Sequence, residues 1–160
     1  MKLYFLRHGI ADAPEGYQGT DFERPLTDEG CRRMAAEAKT IAKLKLELDA
    51  IITSPLKRAK QTASIVADEL KMNKELFEDE RLGPAFDMDA LASLLRDNTD
   101  AAAIMLVGHD PSMTETVGAL IGGAKIDFKK GGVACVDVPE ASSLRGELLW
   151  LAPPKLLIKI

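Results

Sequence analysis

The sequence alternates between short apolar runs and longer segments with helical spacing of apolar residues, and this alternation limits the fold more than any other feature. The run Ala101 to Val107 is wholly apolar, which is typical of a strand covered on both faces. Shorter runs at Lys2 to Leu6 and Asp49 to Thr53 also predict strands. Strands that alternate with helices imply a layered α/β fold with a mainly parallel sheet.

Local signals predict where the helices begin. Thr27 fits an N-cap, and the helix that follows it is predicted to reach about residue 46. Ser54 fits a second N-cap because Pro55 suits the first helical position, and this helix is predicted to reach about Leu70. The remaining predictions are a strand at 75–78, a helix at 88–95, a helix opened by Asp110 and Pro111, and terminal strands at 133–138 and 147–151.

The composition predicts one ordinary folded domain over residues 1–160. Apolar residues make up 46% of the chain and charged residues 29%, which excludes a disordered or low-complexity protein. The net charge of −4 argues against a general nucleic-acid binder. No apolar run is long enough for a signal peptide or a bilayer span, so we expect a cytoplasmic protein without a membrane partner.

Polar residues at predicted strand ends form the candidate site. Ligands of open α/β sheets bind beyond the carboxyl ends of the strands. The first strand ends at Arg7 and His8, the 101–107 strand ends near His109, and Arg58 lies in the helix after the second strand. Guanidinium forks match phosphate oxygens, and a neutral imidazole is a competent nucleophile toward phosphorus. On these grounds alone, a phosphoryl-transfer site and ordinary hydrogen-bonding histidines are about equally compatible with the sequence.

Four segments, in order along the chain, resemble the motifs of the histidine phosphatase (phosphoglycerate mutase-like) superfamily. They are Leu6–Gly9, Arg24–Gly30, Ser54–Ala63 and Val107–Pro111. The resemblance implies a three-layer α/β/α fold of the phosphoglycerate mutase type. Only about twenty residues separate Glu80 from the next predicted strand, so the lid over the site is expected to be minimal. The chain looks most like the small SixA-type phosphohistidine phosphatases of this family.

The resemblance also implies a role for each matching residue. His8 would be the nucleophile that becomes phosphorylated, and Arg7 and Arg58 would hold the transferring phosphoryl group. His109 would stabilise the charge that develops on it. Arg24 would bind phosphate at the mouth of the pocket. No cofactor and no metal are expected, since two histidines without clustered carboxylates or thiolates make a poor metal site.

The proton donor is left open among three carboxylates. Larger relatives carry a glutamate in a segment similar to Asp79–Leu82, which makes Glu80 the candidate, with Asp87 or Asp12 as alternatives. A solvated loop carboxylate is an equally good interpretation of Glu80. Phosphoryl transfer between two imidazoles is nearly balanced in energy, so it needs an acid less than ester cleavage does.

The expected function is a metal-independent phosphatase that acts on phosphohistidine of a signalling or phosphotransfer protein. Its alternatives are a small-molecule phosphomonoesterase, a non-catalytic phosphate- or phosphoprotein-binding module, and a mutase, which needs an enclosure that the short chain lacks. The tail 153–160 is predicted either to cover the sheet edge or to mediate self-association. The oligomeric state is not assigned.

Overall fold

The computed structural model describes residues 1–158. Its six strands are β1 (Lys2–Arg7), β2 (Ala50–Thr53), β3 (Leu76–Glu78), β4 (Ala103–Gly108), β5 (Val133–Asp137) and β6 (Glu147–Ala152). They form one sheet in the order β3-β2-β4-β1-β5-β6. The neighbours from β3 to β1 pair in parallel, whereas β5 is antiparallel to both β1 and β6. The prediction of a mainly parallel sheet is confirmed.

Five helices cover the two faces of this sheet. They are α1 (Asp28–Lys43), α2 (Lys57–Leu70), α3 (Met88–Asp97), α4 (Ser112–Leu120) and α5 (Pro154–Leu157). Successive strand residues point to opposite faces: in β1, Leu3 and Phe5 pack in the cluster that includes α3 and α4, and Tyr4 and Leu6 pack in the cluster that includes α1 and α2. Each such side chain, when fully buried, contributes roughly 1.5–3 kcal/mol. The fold is therefore the expected three-layer α/β/α arrangement.

The predicted start of α1 is confirmed, but that of α2 is wrong. The Gly30 N–H donates to Thr27 Oγ1 at 2.9 Å, as an N-cap requires, although α1 ends at Lys43, short of residue 46. The second helix begins only at Lys57. Ser54 does not cap it, because the sheet ladder continues past β2: the Ser54 N–H donates to the Val107 carbonyl at 3.0 Å.

The last predicted helix start is also too early, since α4 begins at Ser112 rather than at Asp110. In the segment between β3 and β4, the chain forms a short 3-10 turn, Glu80–Leu82, and then α3. Leu91 and Leu94 on α3 are fully buried against the sheet. Because the apolar face of α3 packs against the sheet, this segment forms part of a helical layer of the fold. It therefore does not form a large lid over the strand ends, in agreement with the predicted minimal lid.

The C-terminal segment packs against α1. Leu157 of α5 is buried in the same cluster as Met34 and Ile41 of α1. Of the predicted tail 153–160, the last two residues lie outside the described part of the chain. Within residues 1–158, no helix combines the length and the apolarity that a bilayer crossing requires.

Candidate active site

The order of the strands brings the two histidines together. β1 and β4 are parallel neighbours, and Arg7 at the end of β1 pairs in register with Gly108 at the end of β4. His8 and His109 therefore leave the sheet side by side, with ring centroids 5.3 Å apart. Both side chains are buried, so the two imidazoles lie below the protein surface at the carboxyl ends of β1 and β4.

Two arginines approach this pair from different elements. Arg58, in the first turn of α2, is buried and donates from Nε to His8 Nε2 at 3.3 Å. Arg7 donates from Nη1 to the Phe128 carbonyl at 2.6 Å and pairs with Asp110 at 3.0 Å. Its buried Nε has no hydrogen-bond partner among residues 1–158. The structure thus brings together the four residues that the sequence analysis singled out.

The contacts of His8 define which of its nitrogens is nucleophilic. Nδ1 lies 2.7 Å from the Gly9 carbonyl oxygen, which only accepts, so Nδ1 carries the proton and Nε2 holds the lone pair. Burial lowers the pKa of His8 to about 3, helped by the charges of His109, Arg58 and Arg7 and opposed by the Gly9 carbonyl. His8 is therefore neutral at pH 7, with its lone pair toward the Arg58 guanidinium.

His109 is held by Ser54, which the sequence analysis assigned to a helix cap. His109 Nε2 lies 2.7 Å from Ser54 Oγ, and Ser54 Oγ accepts from the Leu56 N–H at 3.2 Å. A hydroxyl can donate while it accepts, and when the Ser54 hydroxyl donates to His109 Nε2 the imidazole proton lies on Nδ1. Nδ1 is buried and has no partner within the described chain. Burial lowers the pKa of His109 to about 4, with a further contribution from Arg58.

Ser54 carries a sequence signal that identifies it in retrospect. It directly follows β2, as His8 follows β1 and His109 follows β4. β2, β4 and β1 are adjacent parallel strands. The three polar residues thus occupy equivalent positions at three neighbouring strand ends.

Asp21 is the second residue that sequence reasoning missed. It lies in a 3-10 turn before α1 and bridges two arginines. Its Oδ1 accepts from Arg24 Nε at 3.0 Å and Nη2 at 2.8 Å, and its Oδ2 lies 3.2 Å from Arg58 Nη2. The hydrogen bonds from Arg24, and then the charge of Arg58, hold the pKa of Asp21 below its usual value. Nothing in the sequence distinguishes Asp21 from the other acids of the N-terminal loop.

Arg24 is linked to the site through this carboxylate. Its Nη1 donates to the Asp12 carbonyl at 2.7 Å, while Nε and Nη2 contact Asp21. Because those donors are already in use, the guanidinium holds Asp21 in place beside Arg58. Direct phosphate binding by Arg24 stays a prediction.

None of the three carboxylates considered as proton donors forms a hydrogen bond or ion pair with His8 or His109. Glu80 is exposed at the start of its 3-10 turn, and its side chain forms no hydrogen bond or ion pair with a described residue. Asp87 accepts from the Ala90 N–H at 2.9 Å and so caps α3. Asp12 meets Arg24 through its backbone carbonyl. Within residues 1–158 there is also no group of three or more His, Cys, Asp and Glu side chains that could hold a metal ion.

The chemistry of this cluster is that of anion capture next to a nucleophile. A neutral imidazole nitrogen faces a buried guanidinium, and two unpartnered polar atoms, Arg7 Nε and His109 Nδ1, belong to the same group of residues. Buried donors without partners carry a free-energy cost that an anionic ligand relieves. The arrangement suits a phosphoryl group.

Known proteins are similar to this chain in both sequence and fold. The model of the histidine phosphatase superfamily (branch 1) matches residues 3–83. An uncharacterized protein of Picosynechococcus sp. (strain PCC 7002) is 35% identical over 167 residues, which covers 99% of each chain. The phosphohistidine phosphatase SixA of Escherichia coli (strain K12) is 27% identical over 157 residues, 96% of this chain and 94% of its own.

A solved structure extends the likeness to three dimensions. The protein histidine phosphatase SixA, determined in complex with tungstate, superposes with a TM-score of 0.86 at 27% identity, over 97% of this chain and 98% of its own. This likeness confirms the predicted phosphoglycerate mutase-like fold, and the matches support a phosphatase rather than a non-catalytic binding module. The chain belongs to the histidine phosphatase superfamily and is a phosphatase of the SixA type.

Proposed function

We propose that this phosphatase hydrolyses phosphohistidine on a signalling or phosphotransfer protein through a covalent intermediate at His8 Nε2. The observation that carries the proposal is the state of His8: it is buried and neutral, its proton is held on Nδ1 by Gly9, and its lone pair faces Arg58. The E. coli relative bears the name phosphohistidine phosphatase, which supports the same substrate class.

In the first step, His8 Nε2 attacks phosphorus and the P–N bond of the substrate breaks. The substrate ring, protonated on its other nitrogen, departs as a neutral imidazole, so no external acid is required. His8 becomes a phosphorylated imidazolium whose Nδ1–H still donates to the Gly9 carbonyl. That carbonyl is the contact that favours the charged ring, and it therefore stabilises the intermediate.

The surrounding cations stabilise the transferring group. Arg7 and Arg58 supply guanidinium donors to the equatorial oxygens, and His109 donates from Nδ1. These donors are already positioned by the Phe128 carbonyl, by Asp21 and by Ser54, so little reorganisation is needed when the charge develops. Arg58 releases His8 Nε2 as the new bond forms.

In the second step, water attacks phosphorus and the bond from phosphorus to His8 Nε2 breaks. His8 leaves as the neutral imidazole from which it started, with its proton still on Nδ1. The proton of the attacking water passes to the phosphate product or to solvent. The cycle closes with no net change in the protein, and it uses no metal ion.

The missing contact between an acid and the site favours phosphohistidine over an ester. An alkoxide leaving group needs a proton in the transition state, which general acids typically supply for a gain of about 10²–10⁴-fold. The nearby Asp21 is ionised beside two arginines, and the Glu80 side chain forms no hydrogen bond or ion pair with either imidazole. The segment that larger relatives use as a lid is packed here as α3, which leaves room for a side chain projecting from another protein.

A small phosphomonoester is the second candidate substrate. Glu80 directly follows Asp79 at the carboxyl end of β3, the same edge of the sheet that carries His8 and His109. An exposed carboxylate at this edge suits a proton donor that meets the leaving group only when substrate is bound. Comparison of phosphohistidine with alkyl phosphates separates the two candidates.

Trapping of the intermediate tests the mechanism. His8 and His109 are the only two histidines, so His8→Ala and His109→Ala form a matched pair. Brief exposure to a radiolabelled phosphohistidine peptide is expected to leave acid-labile label on the wild type and on His109→Ala, and none on His8→Ala. Label at another residue, or turnover by His8→Ala, contradicts the proposal. Full activity in a chelator is expected, and its loss contradicts the metal-independent mechanism.

A further inference from the structure

A strongly cationic cleft of about 490 Å³ lies beside the candidate active site. Its lining contains no acidic residue and five basic ones: Arg7, Arg33, Lys129, Lys130 and Lys155. The chain as a whole has a net charge of −4. So dense a group of cations in an acidic protein produces a local positive potential that attracts anionic groups.

The cleft shares Arg7 with the candidate active site. Arg7 lines the cleft and directly precedes His8 in the chain. The loop that carries Lys129 and Lys130 is hydrogen-bonded to the backbone at the end of β1. The Gly131 N–H donates to the Arg7 carbonyl at 3.0 Å and to the His8 carbonyl at 3.2 Å. The cationic loop is therefore fixed next to the residue that receives the phosphoryl group.

Two of the five cations have no acidic partner within residues 1–158. Arg7 pairs with Asp110, Arg33 with Glu29, and Lys129 with Asp127. Lys130 and Lys155 are exposed and form no ion pair with a described residue. They come from different parts of the chain, Lys130 from the loop before β5 and Lys155 from α5, and both line the cleft.

We infer that the cleft binds the carboxylates of an acidic segment that flanks the phosphohistidine of the protein substrate. The inference rests on the proposed function. Lysine ammonium groups are flexible point charges without a required bidentate geometry, which suits a varied array of aspartates and glutamates. Complementary charge at such a surface raises the rate of encounter and selects among partners.

Two synthetic phosphohistidine peptides test this inference. One carries a run of glutamates beside the phosphohistidine, and the other carries the same number of glutamines. The wild type is expected to favour the glutamate peptide by about tenfold in kcat/KM at low salt. At high salt the preference is expected to disappear, because the screening length shortens from about 10 Å at 0.1 M to about 3 Å at 1 M.

The variant Lys130→Glu/Lys155→Glu removes the two unpaired cations. A matched control is Lys2→Glu/Lys74→Glu: both residues are exposed, Lys2 is the first residue of β1 and Lys74 precedes β3, so both lie at the edge of the sheet opposite to the site. The two variants change the net charge equally. The preference for glutamate is expected to vanish in the first variant and to persist in the control, with hydrolysis of p-nitrophenyl phosphate unchanged in both.

The result that overturns the inference is a wild type that treats the two peptides alike, or a control variant that loses the preference as fully as the cleft variant. If neither peptide is hydrolysed, it is the proposed function that fails. Binding of an acidic segment in the cleft is then tested separately, by inhibition of p-nitrophenyl phosphate hydrolysis with the unphosphorylated peptides. Stronger inhibition by the glutamate peptide, relieved in Lys130→Glu/Lys155→Glu, supports the cleft. Equal inhibition by both peptides overturns it.

Discussion

Replacement of Glu37 by glutamine is expected to stabilise the protein at pH 8 and to change its stability much less at pH 5. Glu37 lies on α1 and is only 2% exposed. Its Oε2 has no hydrogen-bond partner among the described residues and abuts Gly131. Burial raises the pKa of Glu37 to about 7, although the charge of Arg33 acts in the opposite direction.

The size of the effect follows from this pKa. The pKa rises from the ordinary value of 4.5 to about 7. At about 1.4 kcal/mol per pKa unit, the ionised carboxylate lowers the free energy of unfolding by about 3 kcal/mol. An acid whose pKa is raised by folding destabilises the folded state above its unfolded pKa. The wild type therefore loses stability as the pH rises from about 4.5 to about 7, after which the loss is constant.

At pH 5 most of this penalty is absent, because the folded carboxyl group is still protonated and neutral. The glutamine side chain at position 37 carries no charge at any pH. The pH dependence of the difference in unfolding free energy between variant and wild type therefore isolates the ionisation of Glu37. That difference is expected to grow by about 2–3 kcal/mol in favour of the variant between pH 5 and pH 8. The histidines, whose pKa values are lowered, titrate in both proteins and cancel from the comparison.

Urea denaturation at pH 5, 6, 7 and 8 measures this difference. The matched control is Glu69→Gln, since Glu69 is also helical but exposed, and its effect is expected to stay within about 0.5 kcal/mol at every pH. A difference for Glu37→Gln that is independent of pH refutes the reasoning, because it means that Glu37 ionises in the folded state as easily as in the unfolded chain.

Three further variants test the site itself. Ser54→Ala is expected to lower kcat on a phosphohistidine peptide about tenfold with little change in KM, because the His109 ring loses the hydrogen bond that orients it; unchanged kcat contradicts this role. Asp21→Asn is expected to tighten inhibition by inorganic phosphate about fivefold, since the carboxylate competes with the anion for Arg58, and an unchanged inhibition constant counts against it. Glu80→Gln is expected to slow hydrolysis of an alkyl phosphomonoester by more than about tenfold and to leave phosphohistidine hydrolysis within about twofold; equal effects on both substrates rule out a proton donor for esters.

The sequence by itself determined the layers of the fold and the positions of most reacting groups along the chain. The apolar run that became β4 and the run that became β1 end at His109 and His8, so the strand ends were predictable from local periodicity. Arg58 could be assigned to the helix after β2 in the same way. These features depend on residues close together in sequence, and short-range patterns of polarity record them directly.

Only the tertiary structure decided which of these ends meet. The order β2-β4-β1 joins strands that are far apart in the chain, and it places Ser54 against His109 although the local signal at Ser54 indicated a helix cap. Asp21 acquires its role for the same reason, because α2 brings Arg58 to it across 37 positions of the chain. Pairing between distant strands depends on how the whole sheet buries its surface and satisfies its backbone hydrogen bonds, and no single segment of the sequence contains that information.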